Sequence, residues 1–186
     1  MQEKQTEIAS LGEFGLIDRI TAGIEHVNAS TLKGVGDDCA VMEYKDTDVL
    51  VSTDMLVEGI HFDLTYVPLK HLGYKAAVVN FSDIYAMNGH PRQITVSLAV
   101  SKRFTVEHIE QLYSGIRLAC QIYGVDLVGG DTTSSRSGLI ISITCIGDAP
   151  RDRIVYRSGA KPTDLICVTG DLGSAYMGLQ LLEREK

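Results

Sequence analysis

A carboxylate lies on the apolar stripe of the chain's clearest helical pattern. Leu72, Ala76, Val79 and Asp83 step by four, three and four residues, so a helix presents all four on one face. Pro68 precedes them, where proline suits a first helical turn, and the pattern predicts a helix over 68–87. A charge is seldom buried without a partner. The chain therefore has to fold so that something meets Asp83 at the inner face of this helix.

Other aspartates recur at glycine-marked or serine-marked turns: Gly36-Asp37-Asp38, Ser52-Thr53-Asp54, Ser82-Asp83 and Gly129-Gly130-Asp131-Thr132-Thr133. No lysine or arginine interrupts these clusters. Taken singly, each aspartate reads as a cap or turn residue. Taken together, Asp37, Asp38, Asp54, Asp83 and Asp131 repel one another unless a cation stands between them. Hard cations such as Mg²⁺ accept oxygen ligands, usually one or two carboxylates plus substrate phosphates. The set points to a polynuclear Mg²⁺ site that handles a phosphate ester. Ser52 and Thr53 add hydroxyl or carbonyl oxygens beside Asp54, although alone they would be ordinary strand residues. His61 could donate to a phosphate, but a lone histidine is more often structural. Arg157 could clamp a phosphate with two parallel hydrogen bonds, and alone it reads as a surface charge. The 170–173 turn before a helical pattern is either an anion-binding N-terminus or a plain connection.

Net charge sharpens this reading. A 186-residue chain of net charge −7 lacks the basic face of a duplex nucleic-acid binder. It also repels a polyphosphate, which bridging cations would overcome. The N-terminus is polar without a signal-peptide core, and no apolar run approaches the ~18 residues of a membrane helix. A cytoplasmic protein is expected. Cys39, Cys120, Cys145 and Cys167 are widely spaced in apolar stretches and form no C-x-x-C, so all four are expected to be small buried hydrophobes in a reducing compartment. The P-loop pattern and G-x-S-x-G are absent. Gly34-Val35-Gly36 begins like a dinucleotide fingerprint, but Cys39 takes its third glycine position.

Hydrophobic periodicity predicts a helix over 13–24 and strands over 39–42 and 48–53, the second with Asp54 at its exit. After the 68–87 helix come a strand over 94–100, a helix capped by Thr105 with Val106, Ile109, Tyr113, Ile116 and Cys120 inside, and strands over 125–128 and 139–146. Gly129-Gly130-Asp131 is expected at the end of the first of these two strands. The order is α/β without a strict βαβ series, which predicts a mixed, largely antiparallel sheet. Proline and charge after Asp148 mark a boundary, giving an N-terminal domain over 1–148 and the start of a second over 149–186. There a strand over 164–168 leads into a helix from Ala175. That helix meets no stop signal, so the sequence reads as the N-terminal part of a longer protein.

The strings GVGDDCAV, STDMLVEGIHF, KAAVVNFSDIYAMNGHP, GGDTT, RSGAKPTD and VTGDLGSA follow Gly12-Glu13-Phe14 and Leu16-Ile17 in this order. Gly-Asp-Asp is weak alone, whereas the ordered set is specific and covers essentially the whole chain. By these residues the chain resembles the thiamine-monophosphate kinases, in the superfamily of aminoimidazole ribonucleotide synthetase and selenophosphate synthetase. The resemblance implies ATP-dependent phosphorylation of thiamine monophosphate to thiamine diphosphate. It implies helices on one face of the sheet, and N-terminal domains paired into a barrel-like homodimer with the nucleotide cleft near the interface. It implies that Asp38, Ser52, Thr53, Asp54, Asp83 and Asp131 hold several Mg²⁺ ions, that His61 contacts substrate, and that Tyr113, Gly130 and Arg157 contact ATP. Asn88 departs from the family's usual glycine after Ala-Met, with little expected effect on chemistry. Family members continue beyond Lys186 with a second acidic segment, so this chain alone is expected to carry about half of an active site and to be inactive.

A phosphate-monoester acceptor, with its second pKa near ~6, needs no strong general base. Direct in-line transfer is therefore expected. Two other readings stay open. One is another superfamily enzyme, such as a hydrogenase-maturation protein or selenophosphate synthetase, although the latter usually carries a reactive cysteine near its N-terminus and none here precedes Cys39. The other is a non-catalytic nucleotide-binding or dimerising module.

Overall fold

The computed structural model describes residues 31–33, 36–45 and 47–184, with Gly15 and Ala22 besides. Apart from those two positions, the helix expected over 13–24 lies outside the described residues. Strands β1 (Thr31–Lys33), β2 (Ala40–Tyr44), β3 (Thr47–Val57), β4 (His90–Val100), β5 (Asp126–Ser134) and β6 (Leu139–Ala149) form one sheet in the order β1-β2-β3-β6-β4-β5. Helix α1 (Leu69–Ala86) joins β3 to β4, α2 (Val106–Tyr123) joins β4 to β5, and α3 (Ser174–Arg184) comes last. Each strand pair is antiparallel except β4–β5, which is parallel with α2 as its crossover. The chain thus adopts the mixed, largely antiparallel α/β architecture expected of it.

Period-two alternation separates the two faces of the sheet. On β3, Asp48, Leu50, Ser52 and Leu56 are buried, and every residue between them is at most half-buried. On β6 the buried residues are Leu139, Ile141, Ile143, Cys145, Gly147 and Ala149. Both α1 and α2 pack over this face, closing a core around Leu50, Phe81, Ile84, Ile94, Leu112, Ile116, Ile141 and Ile143. The other face carries exposed Thr53 and Met55 and half-buried Ile140, Ser142, Thr144 and Ile146. Asp48, fully inside the first face, is balanced by Arg151, whose Nε donates to Oδ1 at 3.2 Å.

The two helices approach through glycines. A Cβ on Gly73 would stand 2.0 Å from the Leu112 carbonyl oxygen, and one on Gly115 would stand 1.9 Å from that of Lys70. This close approach lets α1 and α2 lie side by side over one face of the sheet; nearer Asp83, a Cβ on Gly147 of β6 would stand 2.6 Å from Ile84 Cγ2 of α1.

Several expected boundaries move. Strand β3 does not stop before Asp54 but runs to Val57, because β6 pairs with it through Ile140. Residues 129–131 lie inside β5 rather than beyond it, because β4 pairs with that strand through Ser134. Residues 165–168 form no strand. Among the described residues no strand lies beside them to take their backbone hydrogen bonds, and Leu165 and Ile166 are 89% and 98% exposed. Cys167 shares that exposure, unlike the buried Cys39, Cys120 and Cys145. Among the described residues, no helix is long and apolar enough to cross a membrane.

Candidate functional site

Asp83 meets its partner on β3. The Ser52 hydroxyl, on the helix-facing side of that strand, donates to Asp83 Oδ2. Asp54 lies two residues further along the same face. Its backbone N–H donates to Asn80 Oδ1 at 3.0 Å, and Asn80 Nδ2 donates to the Ala76 carbonyl at 2.9 Å. Asn80 is buried on the inner face of α1, so one helix both supplies Asp83 and pins the strand that carries Asp54. Asn80→Ala is expected to cost about 1–3 kcal/mol of stability, the usual penalty for an orphaned buried donor, read as a lowered urea midpoint.

These groups open onto a cleft of about 490 Å³ lined by Gly36, Asp37, Asp38, Cys39, Ala40, Val51, Ser52, Thr53, Asp54, Asp83 and Arg157. The Thr53 hydroxyl is committed to β6, donating to the Ile143 carbonyl and accepting from Thr144, both at 3.1 Å. Its carbonyl is what remains to offer a cation. Arg157 enters from the segment after β6: its Nε donates to Asp38 Oδ1 at 3.0 Å, a second nitrogen donates to the same oxygen, and its backbone N–H faces both Asp37 carboxylate oxygens at 3.4 Å.

Burial raises the Asp83 carboxyl above its ordinary range. The Ser52 hydrogen bond opposes this, the charges of Asp54 and Asp38 push it up further, and Arg157 pulls it down. The folded chain then keeps this proton to higher pH than the unfolded chain. Stability without divalent metal is expected to fall as pH rises from the ordinary carboxylate value of 3.8 through the raised one, and to level above it. Urea midpoints across acidic pH in chelator would check this, with Asp83→Asn removing that part of the slope.

Which cation suits the cleft follows from its donors. Cys39 is a buried thiol pushed up to about 12, first by burial and then by Asp83 and Asp38, so carboxylate and hydroxyl oxygens are the donors on offer. Among the described residues, no three His, Cys, Asp or Glu side chains stand together closely enough to hold a metal ion by themselves. Hard donors in an open arrangement fit Mg²⁺, which takes one or two carboxylates and completes its shell with water and phosphate.

The remaining candidate residues stand elsewhere. Val57 and His61 lock together: the Val57 N–H donates to His61 Nδ1 at 3.0 Å and the His61 N–H to the Val57 carbonyl at 2.9 Å. A neutral ring accepting at Nδ1 carries its proton on Nε2. His61 lines a cleft of about 630 Å³ with Phe62, Tyr66, Lys75 and, from α3, Tyr176. Lys75 Nζ donates to the His61 carbonyl at 3.5 Å. Tyr113 lines a third, largely apolar cleft of about 410 Å³ with Val100, Phe104, Ile109, Arg117 and Thr132. Gly130 lies on β5 two residues before Thr132, where a Cβ would stand 1.8 Å from the Val96 carbonyl oxygen.

Asp131 pairs with exposed Ser97 and alternates with Thr132, so its side chain belongs to the face away from the helices. Three strand spacings separate β5 from β3, about 14 Å at roughly 4.8 Å each. The cleft thus gathers Asp38, Ser52, Thr53, Asp54, Asp83 and Arg157, and leaves out His61, Tyr113, Gly130 and Asp131. Asn80 and Lys75 went unnoticed in the sequence. For Asn80 there was a signal, a polar residue one helical turn from Ala76 on the apolar stripe.

Residues 36–149 match the family model described as AIR synthase related protein, N-terminal domain, and the chain belongs to that family. Among its relatives, the thiamine-monophosphate kinase of Bacillus subtilis (strain 168) is 41% identical over 176 residues, covering 94% of this chain and 54% of the relative. That of Aquifex aeolicus (strain VF5) is 38% identical over 179 residues, covering 96% and 55%. The structure described as AaThiL complexed with AMPPCP and TMP superposes with a TM-score of 0.87 at 37% identity, over 98% of this chain and 56% of that one. The chain spans about half the length of the curated relatives it matches.

Proposed function

We propose that the chain is the N-terminal, metal-binding and nucleotide-binding part of an ATP-dependent kinase that converts thiamine monophosphate to thiamine diphosphate. One observation carries this reading: Asp38, Asp54 and Asp83, with Ser52 and Arg157, line a single cleft in a chain whose relatives bear that name. AaThiL, solved with AMPPCP and TMP, supports an ATP-type donor and a thiamine monophosphate acceptor.

Asp38, Asp54 and Asp83, the Ser52 hydroxyl and the Thr53 carbonyl would hold Mg²⁺. Asp131, on the other face of the sheet, would serve a separate ion apart from this cleft. Mg²⁺ bound there supplies charge neutralisation between two phosphate groups that otherwise repel. The chain's own part is alignment. The Nε2–H of His61 would donate to the acceptor, Arg157 would grip a donor phosphate through two N–H groups, and Tyr113 would offer an aromatic wall to the nucleoside base beside the close-packed Gly130 strand. The ionised acceptor phosphate needs no base, so transfer is direct and in line.

Homodimer formation through the N-terminal domain is part of this reading, supported by the half-buried Ile140 and Ile146 and the 57% exposed Met55 on the sheet face away from the helices. So is a division into 1–148 and the beginning of a second domain over 149–186, supported by the absence of any buried residue between 155 and 184. A cytoplasmic setting completes it.

The test is formation of thiamine diphosphate from thiamine monophosphate and ATP with Mg²⁺, by this chain and by a form extended to the length of its relatives. Turnover is expected in the extended form, with binding alone in the shorter one. A phospho-enzyme trapped during turnover would contradict direct transfer. Folded protein that binds Mg-ATP but does not phosphorylate would move the assignment to another superfamily substrate.

A further inference from the structure

Arg157 does not reach Asp38 by chance of a loose chain. The segment that carries it is tied to the end of α1. The Val155 N–H donates to the Met87 carbonyl at 3.2 Å, and Asn88 Nδ2 donates to the Arg153 carbonyl at 2.9 Å. Asn88 has a φ of +59°, a backbone region that glycine occupies freely and asparagine tolerates best among the other residues. A glycine at position 88 would keep the turn but lose this tether. The strap so formed delivers the guanidinium onto Asp38, inside the same cleft as Asp54 and Asp83. Beyond the strap, the Arg157 side chain is fastened by Asp38 and its backbone N–H faces the Asp37 carboxylate at 3.4 Å, while residues 155–173 have no buried member and the side chain is 55% exposed.

We propose that Arg157 is the resident counter-ion of the acidic cleft, competing with Mg²⁺ for Asp38, so that entry of the metal exchanges guanidinium for cation and releases Arg157 toward phosphate. This rests on the metal-site reading above. It follows from geometry: Asp38 Oδ1 accepts from two nitrogens of one guanidinium, and an oxygen engaged in this way is not a free ligand. An arginine that binds a carboxylate and a phosphate with the same planar fork can pass from one to the other. The exchange would couple metal binding to the arming of a phosphate clamp, with Asn88 as the positioning residue that keeps the strap within reach.

The experiment is a calorimetric Mg²⁺ titration of the 186-residue chain without nucleotide, followed by titration of AMPPCP at saturating Mg²⁺. In Arg157→Gln, Mg²⁺ is expected to bind roughly two- to fivefold tighter, the scale of a partly exposed ion pair, while AMPPCP binds more weakly. Asn88→Gly, which leaves the guanidinium in place, is expected to move Mg²⁺ affinity in the same direction by roughly twofold. A merely structural arginine would not tighten metal binding when removed. Mg²⁺ affinity unchanged or reduced in Arg157→Gln, with the variant folded, would overturn the proposal while leaving the metal site standing. Failure of both wild type and variant to bind Mg²⁺ would overturn the metal site and the proposal with it.

Discussion

Asp83→Asn is expected to raise the melting temperature of the chain in chelator and, at the same time, to remove most of its stabilisation by Mg²⁺. The first effect follows from the cost of a half-buried carboxylate facing two others. Burial and the charges of Asp54 and Asp38 push the Asp83 carboxyl up, so its ionised form is a liability to the fold at neutral pH. Asparagine keeps an oxygen that can accept the Ser52 hydroxyl and removes the charge. The second effect follows from the same charge being the attraction for a cation. Loss of even an outer partner of a ligand weakens metal affinity by roughly 10- to 100-fold, so loss of a ligand is expected to cost at least the upper end of that range. A wild-type chain held at a hundred times its Kd would gain about 2.7 kcal/mol from the metal, and the variant would lose most of that. Thermal unfolding with Mg²⁺ and with chelator measures both. A variant less stable than wild type in chelator would show that Asp83 serves the fold rather than the site, and a variant that still responds fully to Mg²⁺ would remove Asp83 from the ligand set.

Gly115→Ala is expected to be among the most destabilising single-methyl changes in the chain. Its added Cβ would stand 1.9 Å from the Lys70 carbonyl oxygen and 2.8 Å from the Tyr74 nitrogen. Both are backbone atoms of α1 and cannot rotate away, so the helices must separate and the core beneath must loosen. Overpacking costs about 1–3 kcal/mol and occasionally more, and a clash with backbone this close belongs at the upper end, enough to consume much of a small domain's stability. Gly73→Ala meets the Leu112 carbonyl at 2.0 Å and should behave alike. The two changes should not add, because either one already parts the same contact. Gly178→Ala provides the contrast. It lies in α3 with nothing within 4 Å of its added Cβ, so alanine should be neutral or stabilising by up to about 1 kcal/mol. Urea denaturation of the three variants checks the series. A Gly115→Ala chain within about 0.5 kcal/mol of wild type would mean that the helices do not meet this closely.

The sequence carried the local part of this architecture well. The four-three-four spacing that turned Asp83 inward is a property of one helix, and the Ser52 hydroxyl was waiting on the buried face of β3. Local pattern failed where a partner decides the outcome. Asp54 looked like a strand exit because a charge interrupts the apolar run, yet β6 bonds that strand as far as Val57. Gly129-Gly130-Asp131 looked like a turn, yet the missing side chain at Gly130 lets β5 press against Val96. Residues 165–168 have strand composition and, among the described residues, no strand beside them. The same limit explains the candidate site. The acids near Asp83 were legible as a set, but the pairing of Arg157 with Asp38 spans 119 residues, and no spacing rule reaches that far. Asp131 shares the acidic turn chemistry of the others, and only the register with Ser97 assigns it to the other face of the sheet.

The measurement that tests the account most directly is calorimetric titration of AMPPCP into the 186-residue chain, once with Mg²⁺ and once with chelator. A chain of net charge −7 whose cleft is lined by Asp37, Asp38, Asp54 and Asp83 should repel a triphosphate unless a divalent cation stands between them. Binding with Mg²⁺ that disappears in chelator is the predicted result. Equal binding in both conditions, or none in either by folded protein, would contradict it.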